Sequence, residues 1–392
     1  MDYSKDQQEF YDACIAGQNM FLTGKAGTGK SFITQEVMKA LKQMGKKFIA
    51  LAPTGIAAYN INGQTLHSMF GLSVNGMLTY EECRFLKTTK RDVLRKSEVI
   101  FIDEVSMVRP DILDALDWTL KKNGLKGLES KQIVFIGDLK QLPSVVNDNM
   151  QSVLLKEYEG IEFFHSKIYN KLGIVTKELE TVHRQSNPDF IEALNVVRDG
   201  GKHPYFKQFV SEESKGIVLA PHTTTVAKYN IEGLNAIDSK KHVYMAKIDG
   251  AAKARDFNLE DKLELKDGCK IMYLVNSKLN PLHNGTIGVF RFDEDRGLPF
   301  IEVEGVRWLI EMVKFDKKEY VFNKELNELE LQEIGSIEQL PVKLAYALTI
   351  HKSQGLTFEE VTVDLSRPCF APGQLYTALS RVTGPEGLHI KI

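Results

Sequence analysis

The most informative segment of this chain is the octapeptide Gly24-Lys25-Ala26-Gly27-Thr28-Gly29-Lys30-Ser31, which matches the pattern GxxxxGK[ST]. It lies between an apolar segment, residues 19–23, and a segment with helical spacing, residues 30–44. Glycines allow backbone N–H groups to curl around phosphate oxygens, and the N-terminus of the following helix attracts the same anion. In this pattern Lys30 is expected to reach the β- and γ-phosphates and Ser31 to bind Mg²⁺. The octapeptide therefore predicts a nucleotide-binding loop between a strand and a helix.

The segments around this loop predict an α/β fold. Short apolar segments at 19–23, 47–52, 99–103 and 132–137 alternate with helical ones. Such a pattern is typical of a parallel sheet that is covered on both faces. A second α/β set begins with a strand at Val175–Leu179.

The pattern changes in the last third of the chain. Between about residues 263 and 340, short strands alternate with turn residues and helical spacing is weak, which predicts a small antiparallel β unit. From Val342 the α/β pattern resumes, with a predicted helix, a strand, a second helix and a final strand. The simplest account is two α/β domains, of which the second is interrupted by a small β barrel.

Composition narrows the class of protein. The 392 residues include 50 Lys and Arg against 52 Asp and Glu, so the formal net charge is −2. This balance argues against a polybasic, histone-like mode of nucleic-acid binding, and any binding to an anionic polymer would need a local groove. We find no apolar run of transmembrane length, no signal-peptide pattern and no paired CxxC spacing. These observations lead us to expect a cytoplasmic protein with no membrane partner.

Two further segments follow predicted strands and carry groups that suit phosphate chemistry. Asp103 and Glu104 follow the strand at 99–103, where Asp103 could hold Mg²⁺ through water and Glu104 could polarise an attacking water. Gln141 follows the strand at 132–137 and could hydrogen-bond both the nucleotide and that water. An acid in the place of Glu104 favours hydrolysis over phosphoryl transfer to another acceptor.

Two arginines could complete the site from the second domain. Arg184 follows the strand at Val175–Leu179, and Arg381 ends a predicted helix. Guanidinium groups delivered across a domain cleft stabilise charge on a transferring phosphoryl group. From spacing alone, either residue could equally be a surface arginine.

Taken in order, these segments resemble the helicase motifs of superfamily 1. Their sequences are most similar to those of the petite-integration-frequency (PIF) family of the RecD-like branch. Residues 4–7 look like the adenine-reading Q motif, and the phosphate loop is motif I. The other segments resemble motifs Ia (52–58), Ib (65–70), II (103–107), III (137–143), IV (180–185), V (348–357) and VI (376–381), with the family's signature helix at 111–117. The match runs from about residue 4 to residue 390.

The resemblance implies an ATP-driven motor that moves 5′ to 3′ on single-stranded DNA and unwinds duplex DNA. Its fold would be two RecA-like P-loop NTPase domains with an antiparallel, SH3-like β barrel inserted in the second. Domain 1A would span 1–163, with a short wedge at about 71–97. Domain 2A would span 164–262 and 341–392, and the barrel 263–340. A monomer acting on forked or 5′-tailed DNA is expected.

The resemblance also implies site residues. The catalytic set would be Lys30, Asp103, Glu104, Gln141, Arg184 and Arg381, with Mg²⁺ held by Ser31 and Asp103. ATP would be bound by Gln7, Gly24, Ala26, Gly27, Thr28, Gly29, Lys30, Ser31 and Gly355.

A second predicted set faces DNA. Single-strand binders need hydroxyls and amides for phosphates and flat side chains for stacking, and the candidate segments supply them. The predicted contacts are Pro53, Thr54, His67 and Phe70 in the first domain and His222, Thr223, Thr349, His351, Lys352 and Ser353 in the second. Lys352 is the obvious cation among them, so moderate salt dependence is expected.

Alternatives remain at this stage. A RecD-like or conjugative-relaxase-type helicase with other partners is separated only imperfectly by the motifs. A nucleic-acid binder that uses ATP merely to clamp is disfavoured by the intact set from Lys30 to Arg381. A small-molecule P-loop kinase lacks a lid-like or acceptor motif.

Overall fold

The first 184 residues fold around a six-stranded sheet. The computed structural model describes residues 3–73, 76–144, 146, 148–181, 184–277 and 281–392. The chain divides into two compact units. The first unit comprises Met1–Leu139, Pro143–Arg184 and Lys318–Ile334, and the second Lys140–Leu142, Gln185–Lys317 and Gly335–Ile392.

The sheet of the first unit is parallel and has the strand order β3-β2-β4-β5-β1-β6. Its strands are β1 (Met20–Gly24), β2 (Phe48–Ala52), β3 (Gln64–Thr65), β4 (Val99–Ile102), β5 (Gln132–Ile136) and β6 (Val175–Leu179). The helices are α1 (Lys5–Ile15), α2 (Lys30–Gln43), α3 (Gly55–Asn60), α4 (Leu66–Phe70), α5 (Thr88–Lys96), α6 (Pro110–Lys122) and α7 (Asp148–Glu157).

Alternating side chains of β4 show why this sheet is covered on both faces. Ile100 and Ile102 enter one apolar cluster, whereas Val99 and Phe101 enter another, and all four are at most 2% exposed. Successive residues of a strand point to opposite faces, so both faces are buried. The predicted parallel sheet is confirmed.

Strand β6 corrects the predicted domain boundary. It pairs parallel to β1, with Val175 opposite Met20, and so completes the first sheet. The boundary expected between residues 163 and 164 therefore lies between residues 184 and 185. The residues of the strand, Val-Thr-Lys-Glu-Leu, do not by themselves indicate which sheet it joins.

Three aspartates of helix α6 hold surrounding loops. Asp111, Asp114 and Asp117 are spaced three residues apart and are each at most 4% exposed. Asp111 accepts from the backbone N–H of Leu78 at 2.8 Å, Asp114 from that of Ile168 at 2.9 Å, and Asp117 from that of Leu128 at 2.9 Å. The signature helix predicted at 111–117 is thus a scaffold whose carboxylates satisfy buried N–H groups.

The second unit contains the remaining elements, except the parts of β15 and β16 that lie within Lys318–Ile334. Its helices are α8 (Pro188–Arg198), α9 (Thr223–Asn235) and α10 (Gln374–Leu379). The remaining strands are β7 (Ile217–Ala220), β8 (Lys241–Met245), β9 (Lys247–Gly250), β10 (Lys262–Lys266), β11 (Lys270–Tyr273), β12 (Ile287–Asp293), β13 (Leu298–Val303), β14 (Val306–Leu309), β15 (Val313–Asn323), β16 (Glu328–Gln339), β17 (Val342–Leu344), β18 (Ala347–Thr349), β19 (Val361–Asp364) and β20 (Leu388–Lys391). A parallel sheet has the order β18-β7-β19-β20.

The helix predicted after Val342 is wrong. Two short strands occupy this segment: β17 pairs with β11, and β18 pairs with β7. A brief 3-10 turn at His351–Ser353 follows. Both strands bury apolar residues and pair with strands that are distant in sequence. These long-range contacts outweigh the local helical spacing.

The inserted β unit is antiparallel, as predicted. Five strands form a sheet in the order β14-β13-β12-β11-β17, and β8 with β10 forms a two-stranded ribbon. Phe290, Ile271 and Ile301 lie in its apolar cluster with no exposed surface. Closure of these strands into an SH3-like barrel stays a prediction.

The hairpin formed by β15 and β16 departs from the predicted boundaries, because its tip, Lys318–Ile334, packs in the first unit. Tyr320 is 6% exposed there, and its phenol oxygen accepts from the backbone N–H of Ala50 at 3.0 Å. The backbone N–H of Tyr320 donates to Gln64 Oε1 at 3.0 Å. The segment predicted as one barrel thus contributes to the core of the first unit.

Candidate active site and nucleic-acid interface

The phosphate loop follows β1 and leads into α2, as the sequence indicated. Gly24, Gly27 and Gly29 have φ angles of 144°, 80° and 84°, which side chains with a Cβ rarely adopt. Gly29 is the N-cap of α2, and the Thr28 hydroxyl donates to the Lys25 carbonyl at 3.0 Å. The loop therefore leads into the N-terminus of a 14-residue helix, whose first N–H groups lack intrahelical acceptors and suit an anion.

Gln7 lies against this loop. It forms a capping box with Ser4 at the start of α1, in which the Gln7 Oε1 accepts from the Ser4 N–H at 3.2 Å. Its Nε2 also donates to the Thr28 carbonyl at 3.5 Å, and the residue is 6% exposed. Ala26 is 6% exposed as well. The structure thus brings the predicted Q-motif residue next to the predicted phosphate loop.

Lys30 is surrounded by charged groups of the first unit. Its ammonium donates to the carbonyls of Gly24 at 2.7 Å and Lys25 at 2.9 Å. Burial lowers the pKa of Lys30, while the nearby carboxylates of Asp138, Glu104 and Asp103 oppose this shift and Arg184 adds to it. These interactions bring four predicted residues, Lys30, Asp103, Glu104 and Arg184, into one electrostatic cluster.

Asp138 is a member of this cluster that was absent from the predicted set. It is 1% exposed and is the carboxylate with the largest influence on Lys30. Asp138 follows β5 almost as Asp103 follows β4, and adjacent parallel strands end at the same edge of a sheet. That placement is the signal that could have identified it.

Asp103 and Ser31 are oxygen donors that suit a hard cation such as Mg²⁺. Burial raises the pKa of Asp103 to about 6, although the Glu104 N–H, which donates to its carboxylate at 2.9 Å, and the charge of Lys30 both oppose the rise. Ser31 lies exposed in the first turn of α2. Within the described ranges, no group of three or more His, Cys, Asp or Glu residues could hold a metal ion.

Arg184 belongs to the first unit, whereas the sequence predicted it in the second domain. A Cβ at Gly27 would collide with the Cβ of Arg184, so this arginine packs directly on the phosphate loop. The correction follows from β6, which keeps the preceding strand in the first sheet.

Arg381 lies in the second unit and is 1% exposed. Its guanidinium donates to the carbonyls of Thr377 at 2.8 Å and Leu356 at 3.3 Å and to the Ser380 hydroxyl at 2.8 Å. Leu356 directly follows Gly355, which has a φ of 80°. The structure therefore places Gly355 and Arg381, both predicted site residues, near each other.

Gln141 also packs with the second unit. A Cβ at Gly373, the N-cap of α10, would collide with the Gln141 carbonyl. The predicted catalytic set is therefore divided between the units. Lys30, Asp103, Glu104 and Arg184 lie in the first, and Gln141 and Arg381 in the second.

The predicted DNA contacts of the first unit have different environments. Thr54, which follows Pro53, caps α3 by accepting from the Ala57 N–H at 3.2 Å. His67 is half-buried in α4, and its pKa is lowered by burial and by the charge of Arg109, although Asp111 opposes this. Phe70 is fully buried in the apolar core, so its ring has no free face for a base, and we remove it from the candidate contacts.

In the second unit, two predicted hydroxyl contacts hold a turn instead. Thr349 Oγ1 accepts from the Lys352 N–H at 3.3 Å, and the Ser353 hydroxyl donates to the Ile350 carbonyl at 2.8 Å. Thr349 is 6% exposed and Ser353 has no exposed surface. Their side chains shape the His351–Ser353 turn and leave Lys352 exposed.

An aromatic residue that the sequence analysis missed lies beside the predicted histidines. The ring of Phe370 is 5.2 Å from that of His222, at the start of α9 beside Thr223, and 6.1 Å from that of His351, measured between centroids. Phe370 is 57% exposed. A phenylalanine in a loop between Pro368 and Pro372, outside any apolar periodicity, is the signal that could have identified it.

Comparison with known proteins identifies related sequences and structures. The family model described as PIF1-like helicase matches residues 2–206. The chain is 31% identical over 416 residues to the ATP-dependent DNA helicase Pif1 of Bdellovibrio bacteriovorus, covering 100% of this chain and 88% of that protein. The crystal structure of Bacteroides sp. Pif1 in complex with ADP-AlF4 is similar, with a TM-score of 0.88, 33% identity and coverage of 100% of this chain and 92% of that one. Bacteroides Pif1 bound to ssDNA gives a TM-score of 0.70 at 33% identity and the same coverage. Among the described residues, no helix is both long and apolar enough to cross a membrane.

Proposed function

The chain belongs to the PIF1-like helicase family, and from this premise we propose that it is an ATP-dependent DNA helicase. It hydrolyses ATP, moves 5′ to 3′ on single-stranded DNA and unwinds the duplex ahead of it. The observation that carries this proposal is the phosphate loop, whose Lys30 ammonium donates to the carbonyls of Gly24 and Lys25 and lies close to the charges of Asp103, Glu104, Asp138 and Arg184. Unwinding of this kind serves DNA replication, recombination and repair.

The nucleotide is ATP, and its triphosphate is held by the phosphate loop. The backbone N–H groups of residues 24–31 bind the phosphate oxygens, and Lys30 leaves the carbonyls of Gly24 and Lys25 to neutralise the β- and γ-phosphates. We assign the contact with adenine to Gln7, which already donates to the Thr28 carbonyl. Gly355 completes the proposed nucleotide contacts.

Mg²⁺ accompanies the nucleotide in this proposal. Ser31 and Asp103 supply one hydroxyl and one carboxylate, and Mg²⁺ usually combines such few protein donors with phosphates and water. A bound divalent cation lowers the pKa of Asp103 from its value near 6, because it favours the charged carboxylate. When held by Ser31 and Asp103, the cation would neutralise charge on the phosphates.

Hydrolysis depends on groups of both units. Glu104, whose backbone is in the left-handed conformation with φ at 49°, orients and polarises the attacking water. Arg184 and Arg381 stabilise charge on the γ-phosphate, and Gln141 senses its loss. Loss of the γ-phosphate removes the group that these side chains would contact, and we propose that hydrolysis drives stepping in this way.

Single-stranded DNA is bound by Pro53, Thr54 and His67 of the first unit and by His222, Thr223, His351 and Lys352 of the second. Neutral hydrogen-bonding groups predominate in this set, which suits a motor that must release the strand at every step. Forked or 5′-tailed duplexes are the proposed substrates, and a monomer is the proposed active form.

Unwinding of tailed duplexes tests this function. We would measure strand separation of one duplex carrying either a 5′ or a 3′ single-stranded tail, with ATP and Mg²⁺. The proposal expects unwinding from the 5′ tail only. Unwinding from the 3′ tail only would refute the direction, and no unwinding of either duplex would refute the helicase activity.

Two variants separate ATP binding from hydrolysis. Lys30→Ala should lower ATP affinity and abolish turnover, whereas Glu104→Gln should bind ATP but hydrolyse it at least about 100-fold more slowly, as expected when a group that acts in the transition state is removed. Hydrolysis at the wild-type rate in both variants would contradict these roles.

A further inference from the structure

Phe370 presents an apolar ring to solvent from an anchored loop. Its backbone N–H donates to Gln374 Oε1 at 2.9 Å, and the Ala371 N–H donates to the same oxygen at 3.2 Å. Gln374 has no exposed surface, and Gly373 packs against the Gln141 carbonyl. The ring is nevertheless 57% exposed, so the loop holds an aromatic side chain outside the core at a fixed position.

The surroundings of this ring are aromatic. The His351 ring lies nearly parallel to it, at an interplanar angle of 18°, and the His222 ring lies at 43°. Burial lowers the pKa of His351, which favours the uncharged imidazole. His222 Nε2 is 3.1 Å from the Pro368 carbonyl, which ties it to the Phe370 loop. The three rings form one surface in the second unit.

Cationic groups border this aromatic surface. Arg367, three residues before Phe370, is exposed and donates to the Thr224 hydroxyl at 2.8 Å in the first turn of α9. Lys352 directly follows His351 and is also exposed. An aromatic face with cations at its rim is the arrangement that binds single-stranded nucleic acid, where bases stack and phosphates pair with the rim.

We propose that Phe370 stacks on a nucleobase of the bound DNA strand, with Arg367 contacting the adjoining phosphate. This inference rests on the proposed function, because it assigns a base subsite to the same DNA-binding surface. Stacking on an aromatic ring does not depend on which base is present, since every base has a π face. The second unit therefore binds the bases as well as the phosphate backbone of the DNA strand, without sequence preference.

Oligonucleotides with and without bases test this assignment. The full chain is titrated with fluorescently labelled oligothymidylate and with an abasic strand of the same length, and the dissociation constants are compared. Phe370→Ala should weaken binding of oligothymidylate about tenfold and leave the abasic strand unchanged, since typical stacking contributions correspond to roughly 5- to 150-fold. Phe370→Trp, which keeps an aromatic face, should stay within about threefold of the wild type.

Two further variants serve as controls. Arg367→Ala should weaken both strands by the same factor, because both carry phosphates. Ile231→Ala removes a 59% exposed isoleucine of α9, outside the predicted contacts, and should change neither.

The outcomes separate this inference from the proposed function. If the wild type binds oligothymidylate and Phe370→Ala binds it equally well, or loses affinity for both strands alike, base stacking is wrong and the DNA site stands. If the wild type binds neither strand, the proposed function itself is overturned, and the base subsite with it.

Discussion

Phe70 of the first unit is buried, whereas Phe370 of the second unit is exposed. Phe70, in the motif-like segment of α4, was predicted to face DNA, yet it has no exposed surface and packs in the core of the first unit. Phe370 was not predicted, yet it is 57% exposed beside two predicted DNA-contact histidines. A phenylalanine side chain therefore stabilises the core in one unit and is available to a ligand in the other.

The difference lies in what covers each ring. The tip of the β15–β16 hairpin lies against the first unit near α4, where Glu319 accepts from the Ser68 hydroxyl at 2.8 Å and pairs with Lys90 at 3.0 Å. Phe370 lies in a loop whose backbone is held by Gln374 and by His222, while the ring itself stays exposed. A loop held through its backbone can leave its side chain exposed, which is what a binding residue requires.

The largest expected effect compares the two phenylalanines directly. Phe70→Ala should lower the free energy of unfolding by about 3–5 kcal/mol, because it opens a cavity in a packed core. Phe370→Ala should change it by less than about 0.5 kcal/mol. Urea denaturation of both variants measures these values. A small loss at Phe70, or a large one at Phe370, would reverse the roles assigned here.

Lys343 is a buried lysine of the second unit. It is 7% exposed, and no hydrogen-bond partner for its ammonium occurs among the described residues. Burial and the charge of Lys352 lower its pKa to about 7, although Glu260 opposes this. Lys343→Met should therefore raise the free energy of unfolding at pH 7 by roughly 1–4 kcal/mol, the range seen when buried charges are replaced by apolar groups.

The pH dependence of stability gives a second readout for Lys343. Between pH 7 and about 10 the unfolded chain keeps the Lys343 proton while the folded protein has lost it, so the unfolding free energy should rise with pH. This rise should be weaker in Lys343→Met. An identical slope in both proteins would show that Lys343 stays protonated in the fold.

The Tyr320→Phe variant tests how much the tip of the β15–β16 hairpin stabilises the first unit. Tyr320→Phe removes the acceptor of the buried Ala50 N–H and should cost about 1–3 kcal/mol of unfolding free energy. Tyr80→Phe, at a residue that is 45% exposed, is the matched control and should cost less than about 0.5 kcal/mol. Equal losses in the two variants would mean that the hairpin contact contributes no specific stability.

The smallest expected effect concerns the ion pair at the same hairpin. Glu319→Gln keeps an acceptor for the Ser68 hydroxyl but removes the charge that pairs with Lys90. The loss should be about 0.2–1 kcal/mol at low salt and should shrink in 1 M NaCl, where charges are screened. A loss that is independent of salt would exclude the ion pair as its cause.

The sequence predicted the elements whose local pattern is strong. Strands β1, β4 and β5 are short apolar runs that end at, or directly before, a Gly or Asp, and the phosphate loop requires glycines with positive φ. These elements could therefore be recognised from neighbouring residues alone. The confirmed family and fold rest on such local motifs.

What could not be predicted depends on contacts between distant residues. Tyr320 and Ala50 are 270 positions apart, and nothing near either residue indicates their pairing. The place of β6 in the first sheet, and with it the unit that carries Arg184, depends on its register with β1. The exposure of Phe70 and Phe370 is likewise set by what packs over each ring.

The central claim is that this chain is a motor driven by ATP and stimulated by DNA. The most direct measurement is the steady-state rate of ATP hydrolysis at saturating ATP and Mg²⁺, with and without an excess of single-stranded DNA. The account predicts that the DNA raises the rate at least about tenfold, because strand binding and hydrolysis are coupled. A rate that is the same with and without DNA would contradict it.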